Sequence, residues 1–308
     1  MTTPIIHTHR QDRNWRDQIL VFAGRWIIRP SLAVPFPWSG KRRSFALAGW
    51  SRPMAPGVRC EKLKIAGRTG VVYTPAHPTC RIIWIHGGGF VVGSPRSHKG
   101  MLSHLAKAAN AAIFVPKYRL APEHPFPAAV EDVEAAFDAI DDFRADLGPL
   151  VLGGDSAGAT LAASCLARAL AHGSPKFAAV MLISPAANLD AHREVPKAND
   201  VLFPLQMFRR IIHVYGASAD PLDPRLSPAY ADFTGSPAVL IHCCAGEYLE
   251  VDSDILAAKF AADGAQVNLD KYQSLPHVFH FMAGFSPTAD KAVQSLAEFA
   301  RHHVKATA

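Results

Sequence analysis

Leu150-Val151-Leu152-Gly153-Gly154-Asp155-Ser156-Ala157-Gly158 is the stretch on which the reading of this 308-residue chain turns. Three apolar residues predict a buried strand, and Ala157 to Ala171 reads as the helix that follows. Between them, Gly154 to Gly158 fits G-x-S-x-G, a sharp strand-to-helix turn that lifts a serine hydroxyl off the strand end. The residues flanking Ser156 are small because such a turn tolerates no bulky neighbour. Taken alone the motif is equally an ordinary left-handed turn. A serine hydroxyl is a weak nucleophile, so partners for it have to be found elsewhere in the chain.

Upstream, Ile82-Ile83-Trp84-Ile85 leads into His86-Gly87-Gly88-Gly89-Phe90. A glycine loop at the end of a strand offers backbone N–H groups to a developing oxyanion. Glycine nests also hold phosphate. However, Val92 stands where G-x-G-x-x-G needs glycine, and no G-x-x-x-x-G-K-[ST] occurs. The two glycine motifs, each after a strand-like run, read together as a nucleophile and the donors for its tetrahedral intermediate.

The remaining partners are expected downstream, in the order acid then histidine. Leu275-Pro276-His277-Val278-Phe279-His280 follows the strand-like run Val267 to Tyr272 and precedes the last helix. His277 is the candidate base, with His280 as its competitor. The acid is expected among Glu247, Glu250, Asp252, Asp254 and, further on, Asp263, which follow the apolar run Val239 to Cys244. Position just past the strand end favours Glu247. Asp252 and Asp254 read as openers of the next helix, where carboxylates favour the dipole; Asp252 stays the alternative acid.

These motifs, with Tyr118-Arg119-Leu120-Ala121-Pro122-Glu123-His124-Pro125-Phe126-Pro127-Ala128-Ala129, Leu226-Ser227-Pro228 and Pro276-His277-Val278-Phe279, resemble the bacterial hormone-sensitive-lipase-like family of α/β-hydrolases from about Val71 onward. The resemblance implies a carboxylesterase without metal or organic cofactor. In that family the acid usually stands about thirty residues before the histidine in a D-P-L segment. Glu247-Tyr248-Leu249 occupies that place here, with Glu for Asp and Tyr for Pro. The resemblance further implies Gly88, Gly89 and Ala157 as oxyanion donors and a cap over the site. Candidate lining residues in that cap are Trp26, Phe36, Trp38, Phe203, Met207, Phe208 and Ile211. The expected activity is hydrolysis of short- to medium-chain esters by a Ser-Glu-His triad through an acyl-enzyme. A lactone or amide hydrolase, and a non-catalytic small-molecule receptor, are the alternatives.

The wider pattern agrees with an α/β fold. Strand-like runs at 59–65, 70–73, 81–86, 112–116, 150–153, 179–184, 238–244 and 266–272 alternate with helical stretches, which predicts a mostly parallel eight-stranded sheet with helices on both faces. Residues 1–50 and 190–230 do not fit the sheet and are expected to form the cap, leaving 51–189 and 231–308 as the two parts of the core. Hydrophobic residues make up 49% of the chain, enough for a large core, yet no run is long enough to span a membrane. Ile19 to Ile28 could at most touch one. The N-terminus lacks a basic stretch followed by an apolar one, and five cysteines show no metal or disulfide spacing, so a cytoplasmic setting is expected. The net charge of +6, with clusters at Lys41-Arg42-Arg43 and Arg209-Arg210, shows no stripe with interleaved aromatics and reads as solvated surface, not a nucleic-acid site. A homodimer through the edge strand or final helix is a family-level expectation.

Overall fold

The computed structural model describes residues 3–10, 14–65, 67–141, 143–174, 176–195, 198–216 and 218–307. Nine strands form one sheet. They are β1 (Ile5–His9), β2 (Arg59–Ile65), β3 (Arg68–Thr74), β4 (Cys80–Ile85), β5 (Ala111–Pro116), β6 (Leu150–Asp155), β7 (Phe177–Ile183), β8 (Ala238–Ala245) and β9 (Val267–Gln273), in the order β1-β9-β8-β7-β6-β4-β5-β3-β2. The β2–β3 and β3–β5 pairs are antiparallel and all the others parallel. The central strands are apolar along most of their length because both faces are covered, with Arg81, Asp155 and His242 as the exceptions in β4, β6 and β8. Along β4 the side chains alternate between two cores: Ile83 and Ile85 join one, Ile82 and Trp84 the other.

Helices α4 (Lys99–Ala109) and α9 (Pro287–Thr307) close one face, supplying Met101, Leu105, Val293 and Leu296. Helices α5 (Ala128–Asp138), α6 (Ala157–His172) and α8 (Glu250–Ala262) close the other, supplying Val133, Leu161 and Phe260. Over the carboxyl ends of the strands lie α1 (Trp15–Ala23), a π-helical turn (Gly24–Ile28), α2 (Arg29–Ala33), α3 (Trp38–Trp50) and α7 (Leu205–Gly216).

Two expectations need correction here. The sheet has nine strands, because Ile5–His9 pairs parallel to β9, from Ile5 opposite Asn268 to His9 opposite Tyr272. These residues therefore belong to the sheet and not to a cap segment beginning at residue 1. All five are exposed, so no apolar alternation announced them. Helix α3 was also not anticipated from sequence. Its body-facing positions are Trp38, Lys41, Arg42, Phe45 and Gly49, a helical period carried mostly by polar or small residues. Gly49 is required there: a Cβ would lie 2.5 Å from the carbonyl oxygen of Ser97.

Candidate active site

Ser156 sits between β6 and α6 with φ 52° and ψ −127°, a strained conformation for a residue with a side chain. The surrounding structure holds it there. Its N–H donates to Ile183 O at 2.7 Å. Gly154 and Gly158 allow the turn to close, since a Cβ on Gly158 would collide with the carbonyl oxygen of Ile85. Asp155, fully buried beside the serine, accepts from Trp84 Nε1 (2.9 Å) and from the Gly87 N–H (3.2 Å), and its Oδ2 is 3.2 Å from His98 Nε2. Burial acts to raise the Asp155 pKa, but the attraction and hydrogen bonds of His98, with Trp84, win and hold it below the ordinary value. One carboxylate thus ties the serine turn to the glycine loop.

The glycine loop is fixed from several sides. Gly88 (φ 125°) and Gly89 (φ 59°) take conformations that only glycine adopts without strain. The His86 ring stacks on Tyr118 at 4.2 Å, and Tyr118 Oη donates to His86 O at 2.7 Å. Burial pushes the His86 pKa down to about 3, so the ring is neutral, and its Nδ1 lies 2.9 Å from Gly87 O. Arg42 of α3 donates to Val91 O and Ala121 O, each at 2.7 Å, and pairs with Glu123. Arg42 is therefore not a freely solvated member of a basic cluster. Among the described residues, the N–H groups of Gly88, Gly89 and Ala157 have no protein acceptor.

Ser156, His277 and Glu247 form one hydrogen-bonded line. His277 Nε2 is 2.8 Å from Ser156 Oγ, and His277 Nδ1 is 2.6 Å from Glu247 Oε2. Glu247 Oε1 accepts from Ser184 Oγ (2.6 Å) and from the Cys244 N–H (2.9 Å). Burial disfavours the charged imidazole, yet the neighbouring Glu247 carboxylate, aided by Asp200 and Asp155, outweighs it and raises the His277 pKa. His280 points elsewhere: its Nε2 lies 3.0 Å from His242 Nδ1, and burial holds its pKa well below the ordinary value. Asp252 is also elsewhere. It is fully buried, chelated by Arg193 at 2.7 Å through both oxygens, and accepts the Ala187 (2.8 Å) and Asn188 (3.1 Å) N–H groups.

A pocket of about 40 Å³ opens beside Ser156, walled by Phe90, Leu189, Phe203, Phe208, Ile211 and Tyr248 among others. Of the cap residues expected there, Phe203, Phe208 and Ile211 line it. Trp38 and Met207 are buried against other partners, with Arg210 over the Trp38 ring at 4.5 Å. Trp26 and Phe36 face solvent, 66% and 58% exposed, Trp26 on the outer side of the π-helical turn and Phe36 in the loop between α2 and α3. Sequence reasoning missed Ser184 and Asp200. Asp200 lines the pocket and accepts from the Leu202 and Phe203 N–H groups at 2.7 Å each and from Tyr248 N–H at 3.2 Å. Burial raises its pKa, and the Glu247 charge adds to that. Nothing local in Asn199-Asp200 marks this role.

A family model of the alpha/beta hydrolase fold matches residues 82–281. A solved esterase of the bacterial hormone-sensitive lipase family superposes with a TM-score of 0.86 at 29% identity, covering 96% of this chain and all of the other. The chain belongs to the hormone-sensitive-lipase-like α/β-hydrolases. Within this family it is similar to an acetyl-hydrolase of Streptomyces hygroscopicus, 36% identical over 71% of this chain and 75% of the other. It is also similar to the esterase LipI of Mycobacterium tuberculosis, 31% identical over 78% and 81% of the two chains.

Proposed function

We propose that this protein is a serine carboxylesterase for short acyl groups, with Ser156, His277 and Glu247 as its triad. The observation that carries the reading is the unbroken line from Ser156 Oγ through His277 to Glu247, at 2.8 and 2.6 Å, on the wall of an apolar pocket. Its similarity to an acetyl-hydrolase and to esterases supports the same chemistry.

Ser156 attacks the ester carbonyl while His277 Nε2 takes its proton. Glu247, held by Ser184 and the Cys244 N–H, fixes the imidazole tautomer with Nδ1 protonated and stabilises the imidazolium. The carbonyl oxygen becomes an oxyanion beside the uncommitted N–H groups of Gly88, Gly89 and Ala157. Such a donor contributes about 2.7–4 kcal/mol to the transition state. His277 then protonates the leaving alcohol, and a water it activates releases the acid from the acyl-enzyme. The pocket volume argues for short acyl groups: about 40 Å³ holds roughly three or four water-sized groups.

Turnover of p-nitrophenyl esters from acetate to palmitate tests this. Acetate to butyrate should be the preferred range, and Ser156→Ala should reduce hydrolysis to background. Substantial turnover by Ser156→Ala sinks the triad, and a preference for palmitate sinks the acyl-pocket argument.

A further inference from the structure

Helix α1 is amphipathic in the reverse of the usual sense. The positions it turns to the body are Asp17, Val21 and Gly24. Asp17 accepts from Ser286 Oγ and from Thr288 Oγ1 (2.5 Å), and Gly24 faces Val201 and Pro276. The opposite positions, Trp15, Ile19, Phe22 and Trp26, recur at i, i+4, i+7 and i+11 and stand in solvent, with Trp15 61% and Phe22 62% exposed. The end of helix α3 does the same, exposing Leu47 and Trp50 around the buried Gly49, while Trp38 at its start is buried. Of the 17 exposed large hydrophobic residues among those described, 12 lie in residues 1–50, so the apolar exposure is one regional feature and not scatter.

Charge is concentrated in the same region. Residues 1–50 hold eight Lys or Arg against two Asp, a net +6 equal to that of the whole chain, and residues 51–308 balance to zero. Among the described residues, Arg42 pairs with Glu123, and no carboxylate pairs with Arg10, Arg16, Arg25, Arg29, Lys41 or Arg43. A segment with Trp, Phe and Ile on one face and a net positive charge, with Arg10, Arg16 and Arg43 exposed, suits the interface of an anionic bilayer, where buried apolar area and electrostatic attraction add. A second copy is the poorer occupant, since two such segments face to face bring like charge together.

We infer that residues 15–50 form a docking surface for an anionic lipid membrane, seated peripherally on α1 and α3. No helix among the described residues is long and apolar enough to cross a bilayer. The inner side of the segment between α1 and α3 adjoins the pocket wall: Arg25 of the π-helical turn reaches Asn199 Oδ1 (3.2 Å), Arg29 of α2 reaches Phe203 O (3.4 Å), and the Phe203 ring stands edge-on to His277 at 5.1 Å. A docked membrane therefore lies about one helix diameter, 10–12 Å, from the pocket.

Co-sedimentation of full-length Ser156→Ala protein with vesicles tests the surface independently of hydrolysis. Vesicles of phosphatidylcholine with about a third phosphatidylglycerol should bind at least about fivefold more protein than phosphatidylcholine alone, an advantage that about 0.5 M NaCl removes. Adding Ile19→Gln and Phe22→Gln should abolish binding, while the same pair in an otherwise wild-type chain keeps p-nitrophenyl butyrate turnover and the circular dichroism spectrum. Equal binding to both vesicle types, or none, overturns the inference. So does a dimer by light scattering that Ile19→Gln/Phe22→Gln converts to monomer, because the face is then covered by a second copy.

Discussion

In the proposed triad Glu247 stands where the family resemblance implies aspartate is commoner, and its effect is readable through His277. The imidazole must be neutral to accept the serine proton, and its pKa is raised, so kcat/KM should climb with pH through a midpoint above the ordinary histidine value of about 6.5. Glu247→Gln should move that midpoint down and cut kcat about 10³–10⁴-fold, measured as a pH–rate profile on p-nitrophenyl butyrate. An unmoved midpoint with near-normal kcat would remove Glu247 from the triad. That Ser156, His277 and Glu247 would come together was legible because a turn motif, the position just past a strand end and a family spacing are all written along the chain. Ser184 and Asp200 were not, because their value lies in contacts with Glu247 and Tyr248, 63 and 48 residues away. Trp26 and Phe36 misled for a related reason: an aromatic residue in a cap is compatible with either side of its helical turn or loop.

Elements hold these residues by close packing, and two substitutions separate scaffold from chemistry. Gly158→Ala puts a methyl group against the carbonyls of Ile85 and His86 at the end of β4, so α6 and the glycine loop must part. We expect a stability loss of about 1–3 kcal/mol with a larger loss of activity, compared by chemical denaturation and turnover. Asp252→Asn should do the reverse. It breaks a buried Arg193 pair that ties α8 to the residues after β7, costing about 3–5 kcal/mol, while enzyme still folded at low temperature keeps most of its kcat. A kcat loss as deep as that of Ser156→Ala would return Asp252 to the role of acid. Strand and helix existence was readable along the core because central strands are mostly apolar runs. β1 and α3 escaped notice because one is exposed throughout and the other buries arginine, lysine and glycine.

On the scale of the whole molecule, β1 covers the β9 edge that would otherwise be open for pairing with a second chain. Deleting residues 1–10 should leave kcat on soluble esters near normal and increase self-association, followed by light scattering across protein concentration. A deletion that unfolds the protein or stays monomeric would show that β1 does not act as an edge guard. The same strand joins the two ends of the polypeptide, as does Asp17 with Ser286 and Thr288. Ile5 cannot meet Asn268 until the ribosome has made the roughly 260 residues that separate them, an interval of roughly 15–50 s at ordinary translation rates. Throughout that wait the inward side of α1, which bears Asp17, has no seat, since Ser286 and Thr288 leave the ribosome later still.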